Sequence, residues 1–172
     1  KARAEELDYE GLVIKDVSKD LKQHPNKKYT SRNLDKIDQI VIHHSATTSG
    51  SAKAYSDYHV EHNDWPGIGY HYVVEKDGQV KQTNSLDLVS YHVSGQNTRS
   101  IGICMTGHYD KQEPPAIQLE NTARLIAFLQ DQFDKIDQIE GHRAYANKSC
   151  PGDNIDVEQL KRIANGYRQL LV

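Results

Sequence analysis

Apolar and polar positions along this chain sort into alternating strand-like and helix-like stretches. From Ile37 to His44 the chain alternates into a continuous apolar run ending in two histidines, the pattern of a strand covered on both faces. Ser51 has the position of an N-cap for a helix reaching about Asn63, with Tyr55, Tyr58 and Val60 among its larger residues. The stretch 64–69, Asp-Trp-Pro-Gly-Ile-Gly, is loop by composition. Tyr70–Glu75 and Gln79–Gln82 read as the arms of a hairpin turning at Lys76-Asp77-Gly78. A further strand is predicted over Ser100–Thr106. After Pro114-Pro115, the residues Leu119, Ala123, Ile126, Leu129 and Phe133 recur at spacings of three and four and predict the strongest helix. A short strand near Gln138–Gly141 follows. The chain closes on a helix from about Val157, with Leu160, Ile163, Ala164, Tyr167 and Leu171 on one face; Asp156 and Gln159 have capping-box spacing. Strands mixed with helices and one hairpin imply an α/β fold with a central mixed β-sheet flanked by about three main helices.

Residues 1–36 are charged and weakly periodic, with Leu12-Val13-Ile14 as their apolar cluster. They read as an N-terminal extension packing on a domain that spans 37–172. A chain of 172 residues suits one such domain, and 37% hydrophobic with 26% charged residues makes it globular, in keeping with a monomer. The net charge of −3 disfavours a nucleic-acid partner held by electrostatics. No apolar run approaches the roughly 20 residues that span a bilayer, and no secretory segment is recognisable near the start. The first residue, Lys1, reads as belonging to a processed chain or to one domain of a longer protein.

Nine histidines and two cysteines carry the candidate chemistry. Cys104 lies in a strand-like run and reads as a small buried hydrophobe, whereas Cys150 sits between polar residues and Pro151-Gly152. A Cys104–Cys150 disulfide competes with a ligand role for Cys150. His24 and His108 read as surface residues of polar loops. His59 and His62 share a helix face but lack a third ligand and do not form a His-Glu-x-x-His arrangement. His43 and His44 are adjacent on a strand, so their side chains point to opposite faces, and periodicity does not choose between them. The same holds for Tyr70 and His71. His142 falls where a strand ends and a loop begins, eight positions before Cys150. Two imidazoles and one thiolate are one ligand short of a closed tetrahedral zinc site. That open position is what a catalytic zinc keeps for water, so the pattern points to an enzyme.

The segments IVIHHSAT, GIGYHYVV, YHVSGQNTRSIGICMTG, EGHR and KSCPG, in this order, resemble those of the zinc-dependent N-acetylmuramoyl-L-alanine amidases. That superfamily includes the amidase-type phage lysozymes, or endolysins, and the peptidoglycan recognition proteins. The likeness runs from about Ile37 to Leu171. It implies one Zn2+ ion on His43, His142 and Cys150, with Tyr70 and Lys148 as catalytic residues. His92 and Asn97 match positions that line the family's substrate groove, and His44 and His71 fall to packing or supporting hydrogen bonds. The implied activity is bacteriolytic hydrolysis of the amide between N-acetylmuramic acid and L-alanine, with bacterial peptidoglycan as partner, acting at the cell wall by secretion, periplasmic residence or phage delivery. Some relatives place a glutamate base in the strand corresponding to Ser100–Met105; here Cys104 occupies that place. The alternatives are a non-catalytic peptidoglycan-binding module, whose members lack the ligand cysteine, and a glycosidase, which needs two positioned carboxylates.

Overall fold

In the computed structural model, which describes residues 8–9 and 11–170, the run from Ile37 becomes strand β4 (Gln39–His44), buried along its whole length. Its position explains this. β4 lies parallel between β8 (Ser100–Met105) and β9 (Gln138–Gly141), so both its edges are paired. With β1 (Asp8–Tyr9), β2 (Leu12–Asp16), β5 (Tyr72–Val74) and β6 (Val80–Gln82), these strands form a seven-stranded sheet in the order β1-β2-β6-β5-β8-β4-β9. The β5–β6 hairpin and the β1–β2 pair are antiparallel and the other pairings parallel, so the sheet is mixed. β3 (Thr30–Ser31) and β7 (Leu88–Val89) make a separate antiparallel pair.

Three α-helices occur among the described residues, each starting at a capping residue or a proline. In α1 (Ala52–Glu61) the Ser51 hydroxyl caps the first turn, accepting the Ala54 N–H at 3.1 Å. α2 (Ala116–Gln132) begins directly after Pro115, and Phe133 follows its last turn. α3 (Val157–Leu170) is capped by Asp156 Oδ1, which accepts the N–H of Glu158 at 3.0 Å and of Gln159 at 3.3 Å; Leu171 lies outside the described residues. Helices α2 and α3 pack on the face that carries Ile40, Ile42, Tyr72, Val74, Ile101 and Ile103. Ala52 and Tyr55 of α1 pack with Ile68, Val73 and Cys104 on the opposite face. No helix among the described residues is long and apolar enough to cross a membrane.

The described part of the N-terminal segment does more than pack on this domain. β2 pairs with β6 as a strand of the main sheet, and Leu12 and Ile14 belong to the core. Further on, the buried guanidinium of Arg32 donates to the carbonyls of Leu86 (2.8 Å), Asn97 (3.1 Å), Thr98 (3.2 Å) and Ser100 (2.8 Å). It thereby ties the segment to the loop before β8. Next to it, His71 is fully buried. Its Nδ1 accepts the Gly102 N–H at 3.1 Å and its Nε2 donates to the Leu88 carbonyl at 2.8 Å, which uses both nitrogens of a neutral ring.

These two residues give measurable expectations. Arg32→Met strands several buried carbonyls and is expected to cost about 2–4 kcal/mol, lowering the Tm by roughly 5–15 °C in a calorimetric scan. Burial, reinforced by Arg32, pushes His71 down to about 3. The unfolded chain therefore binds the extra proton between pH 6.5 and 3, and stability falls as the pH drops through that window, by up to about 1.4 kcal/mol per unit from this residue. In urea unfolding at pH 7 and pH 5, His71→Asn is expected to show a shallower loss than the parent chain.

Candidate metal centre

Strand register decides between the paired histidines. His43 lies opposite Cys104, which lies opposite Val73, and all three belong to the face beneath α1. His44 follows Ile42 onto the other face, where its Nδ1 accepts the Tyr109 N–H at 3.1 Å. Because β9 runs beside β4, its end delivers His142 next to His43, with ring centroids 4.8 Å apart. Cys150 reaches in from the loop that follows, its Sγ 3.8 Å from His43 Nδ1. One donor atom from each of His43, His142 and Cys150 falls within 4.8 Å of the others; no other His, Cys, Asp and Glu group among the described residues converges in this way.

The donors fit a metal. Bonds of 2.0–2.3 Å in a tetrahedron put donor atoms about 3.3–3.8 Å apart, and the His43–Cys150 pair already has that separation. Burial, with His92 and His142 nearby, holds His43 well below the usual imidazole value. Burial and the Lys148 charge also lower His142 from its ordinary value. Both rings are thus neutral donors at neutral pH. Burial pushes the Cys150 thiol up to about 11, so its thiolate form calls for a cation beside it.

His92 supports the first ligand. Its Nδ1 lies 3.0 Å from His43 Nε2, so with His43 Nδ1 turned to the other donors, Nε2–H donates to His92. The His92 ring fits there because residue 102 is glycine: a Cβ on Gly102 would stand 2.8 Å from His92 Cγ. Asn97, by contrast, is spent on backbone. Its Oδ1 accepts the N–H groups of His92 (3.0 Å) and Val93 (2.7 Å), shaping the turn that carries His92 rather than lining the cleft.

The three donors open into a cleft of about 390 Å³. Tyr70 is on its wall, its ring centroid 5.3 Å from that of His43, and Lys148 is exposed at the rim. Burial, with the Cys104 and Cys150 thiols alongside, raises Tyr70 well above the ordinary phenol value, so it is an O–H donor. Cys104 is fully buried, and both thiols are free, so the two cysteines form no disulfide. His59 and His62 do not converge: His59 Nδ1 accepts the Gly69 N–H at 2.9 Å, while His62 stacks on Tyr58 with centroids 4.6 Å apart. His24 faces Asp64 at 2.8 Å on the surface. His108 lies not on open surface but in the cleft wall, its ring 5.5 Å from that of His44. Trp65, Tyr91 and Asp110 also line the cleft and were assigned no role from sequence; Trp65, a lone tryptophan beside the Gly67-Ile68-Gly69-Tyr70 motif, and Tyr91, which opens the YHVSGQ motif, were visible signals.

Fold and site together define the class: a mixed α/β domain in which a buried parallel strand, β4, ends at an open cluster of three donors that could hold a metal. A family profile described as N-acetylmuramoyl-L-alanine amidase matches residues 33–153, and the chain belongs to that family. Among its relatives, an endolysin of Klebsiella phage KP32 is 30% identical over 121 residues, covering 66% of this chain and 79% of the phage protein. Peptidoglycan-recognition protein SC2 of Drosophila simulans is 30% identical over 129 residues, 69% of this chain and 70% of its own length. The solved N-acetylmuramoyl-L-alanine amidase LysC from Clostridium intestinale superposes with a TM-score of 0.75 at 25% identity, covering 88% of this chain and 97% of LysC.

If His92 steadies His43, His92→Ala weakens metal binding by about 10- to 100-fold while leaving all three donors present. Gly102→Ala, which displaces the same ring, shifts affinity in the same direction. Chelator competition reads both, and affinities equal to the parent's would remove the supporting role.

Proposed function

We propose that this chain hydrolyses the amide between the lactyl group of N-acetylmuramic acid and L-alanine of the stem peptide, with one zinc ion held by His43, His142 and Cys150. The observation that carries this reading is the convergence of those three donors on an open cleft flanked by Tyr70 and Lys148. Family membership supports the substrate class. So does a solved relative of similar fold, peptidoglycan recognition protein-LE in complex with a monomeric diaminopimelic acid-type peptidoglycan, at 25% identity and a TM-score of 0.74. When bound, zinc supplies a Lewis acid and brings the pKa of water from 15.7 down to about 7.

The chain's own residues do the rest. Lys148 Nζ, free to swing at the rim, donates to the carbonyl oxygen as negative charge develops there, a role worth about 3–4 kcal/mol. Tyr70, kept protonated by its surroundings and beside His43, orients the water or passes a proton. No carboxylate stands at position 104; the Cys104 thiol is raised well above its ordinary value by burial, so that strand provides no base. Water oxygen bonds to the carbonyl carbon, the C–N bond breaks, and a proton reaches nitrogen, leaving a lactyl carboxylate and a free alanine amine. The site of action is the bacterial wall, and the working unit is a monomer.

Purified wall incubated with the zinc-loaded chain tests this. New amino-terminal alanine is expected; new reducing ends would mean glycan cleavage, and retention on the wall without either product would mean recognition only. Cys150→Ser and His142→Ala are expected to lose zinc and activity together. Lys148→Ala is expected to keep zinc and lose turnover by about 10²-fold or more, and unchanged turnover would return it to a plain surface cation.

A further inference from the structure

The ligand loop has little regular structure of its own. Between His142 and Cys150 there is one 3-10 turn, His142–Ala144, and yet Cys150 Sγ must sit within tenths of an ångström of its place. Two side chains outside the donor set account for its order. Asp110, in the loop after β8, accepts the Ser149 hydroxyl at Oδ2 (2.6 Å) and the Asp153 N–H at Oδ1 (2.9 Å). Arg143, beside the ligand His142, donates Nη1 to the carbonyls of Gly152 (2.9 Å) and Ser149 (3.3 Å) and Nη2 to that of Ile155 (2.8 Å). Its backbone N–H donates to the Cys150 carbonyl at 2.8 Å.

We propose that Asp110 and Arg143 are positioning residues that clamp the 148–155 loop, setting Cys150 Sγ against His43 in the metal-free chain. The topology makes the clamp effective. β8 and β9 flank β4, so a bond from Asp110 to Ser149 ties the two sides together around the end of the strand that bears His43. The two loops touch elsewhere as well: Asn154 N–H donates to the Tyr109 carbonyl at 2.8 Å. Gly152, at φ +112°, permits this approach, since a Cβ there would stand 2.6 Å from the Tyr109 carbonyl carbon. Ser149 and the Asp153 amide hold the Asp110 carboxyl below its usual range, so it is a charged acceptor throughout the neutral region. Asp110 is exposed, and removing it leaves the core intact.

The zinc arm of the test rests on the function proposed above; the thiol arm does not. In the metal-free chain, Asp110→Ala is expected to speed Cys150 alkylation by iodoacetamide by about fivefold or more, with Cys104, fully buried, as the silent control. Chelator competition is expected to show zinc binding weakened about tenfold, and the cobalt-substituted chain an altered visible spectrum. Asp110→Asn keeps an acceptor for the Asp153 N–H and an amide donor that Ser149 Oγ can accept, so it is expected to stay close to the parent in all three readouts. Arg143→Met is the second variant and is expected to shift them as Asp110→Ala does. Parental alkylation rates in both Asp110→Ala and Arg143→Met overturn the clamp, as does Cys104 becoming reactive alongside Cys150, which marks general unfolding. A parent chain that takes up no zinc overturns the function proposed above, and the alkylation rates then still decide the clamp.

Discussion

The parallel pairing of β4 between β8 and β9 is the constraint on which the site depends. Parallel register sets His43 opposite Cys104 and ends β9 beside the end of β4, so two imidazoles meet without any loop having to find the other. A one-residue slip in this pairing would turn His43 into the α2–α3 core and His44 toward Cys150, because side chains alternate at a period of two. The slip is prevented by the same alternation: Ile40 and Ile42 would leave the large core cluster along with it. Core burial and ligand choice are therefore one decision.

Around that strand, desolvation does the electrical work. His43 and His92 are buried with few charges to favour protonation, so they remain neutral and hydrogen-bond as a donor–acceptor pair. Behind them, His71 binds the Gly102 amide, and Arg32 binds the Ser100 carbonyl. A residue of the N-terminal segment thus braces the backbone around Gly102, on which the His92 ring rests. This gives physical content to the weaving of that segment into the sheet: it adds a strand and ties down the backbone at the start of β8.

Much of the fold was legible because its elements are long or strongly periodic. The apolar run of β4, the Lys76-Asp77-Gly78 turn of the β5–β6 hairpin and the three-four spacing of α2 each carry a local cause. β2 was not legible as part of the main sheet, since five residues with one apolar cluster do not announce a distant parallel partner such as β6. His108 looked like a loop surface residue because only the approach of its loop to His44 encloses it. Asn97 carried a functional look through its motif, but its side-chain oxygen is consumed by two backbone amides that sequence cannot display. Asp110 and Ser149 are ordinary polar loop residues until two loops 39 positions apart come together.

By itself, the sequence determined which chemical groups were available and in what local frame: a buried strand ending in two histidines, a histidine at the end of a short strand, a cysteine eight residues on, and a tyrosine and a lysine in the neighbouring motifs. Local periodicity and turn chemistry act over a few residues, and those features lie within that range. The tertiary structure decided the rest. It selected His43 over His44 through register across two neighbouring strands, and made His92 a partner of His43 through the missing side chain of Gly102. It also stationed Asp110 and Arg143 on the ligand loop. Each of these depends on contacts between residues far apart in the chain, whose distances are set by packing and not by spacing in sequence.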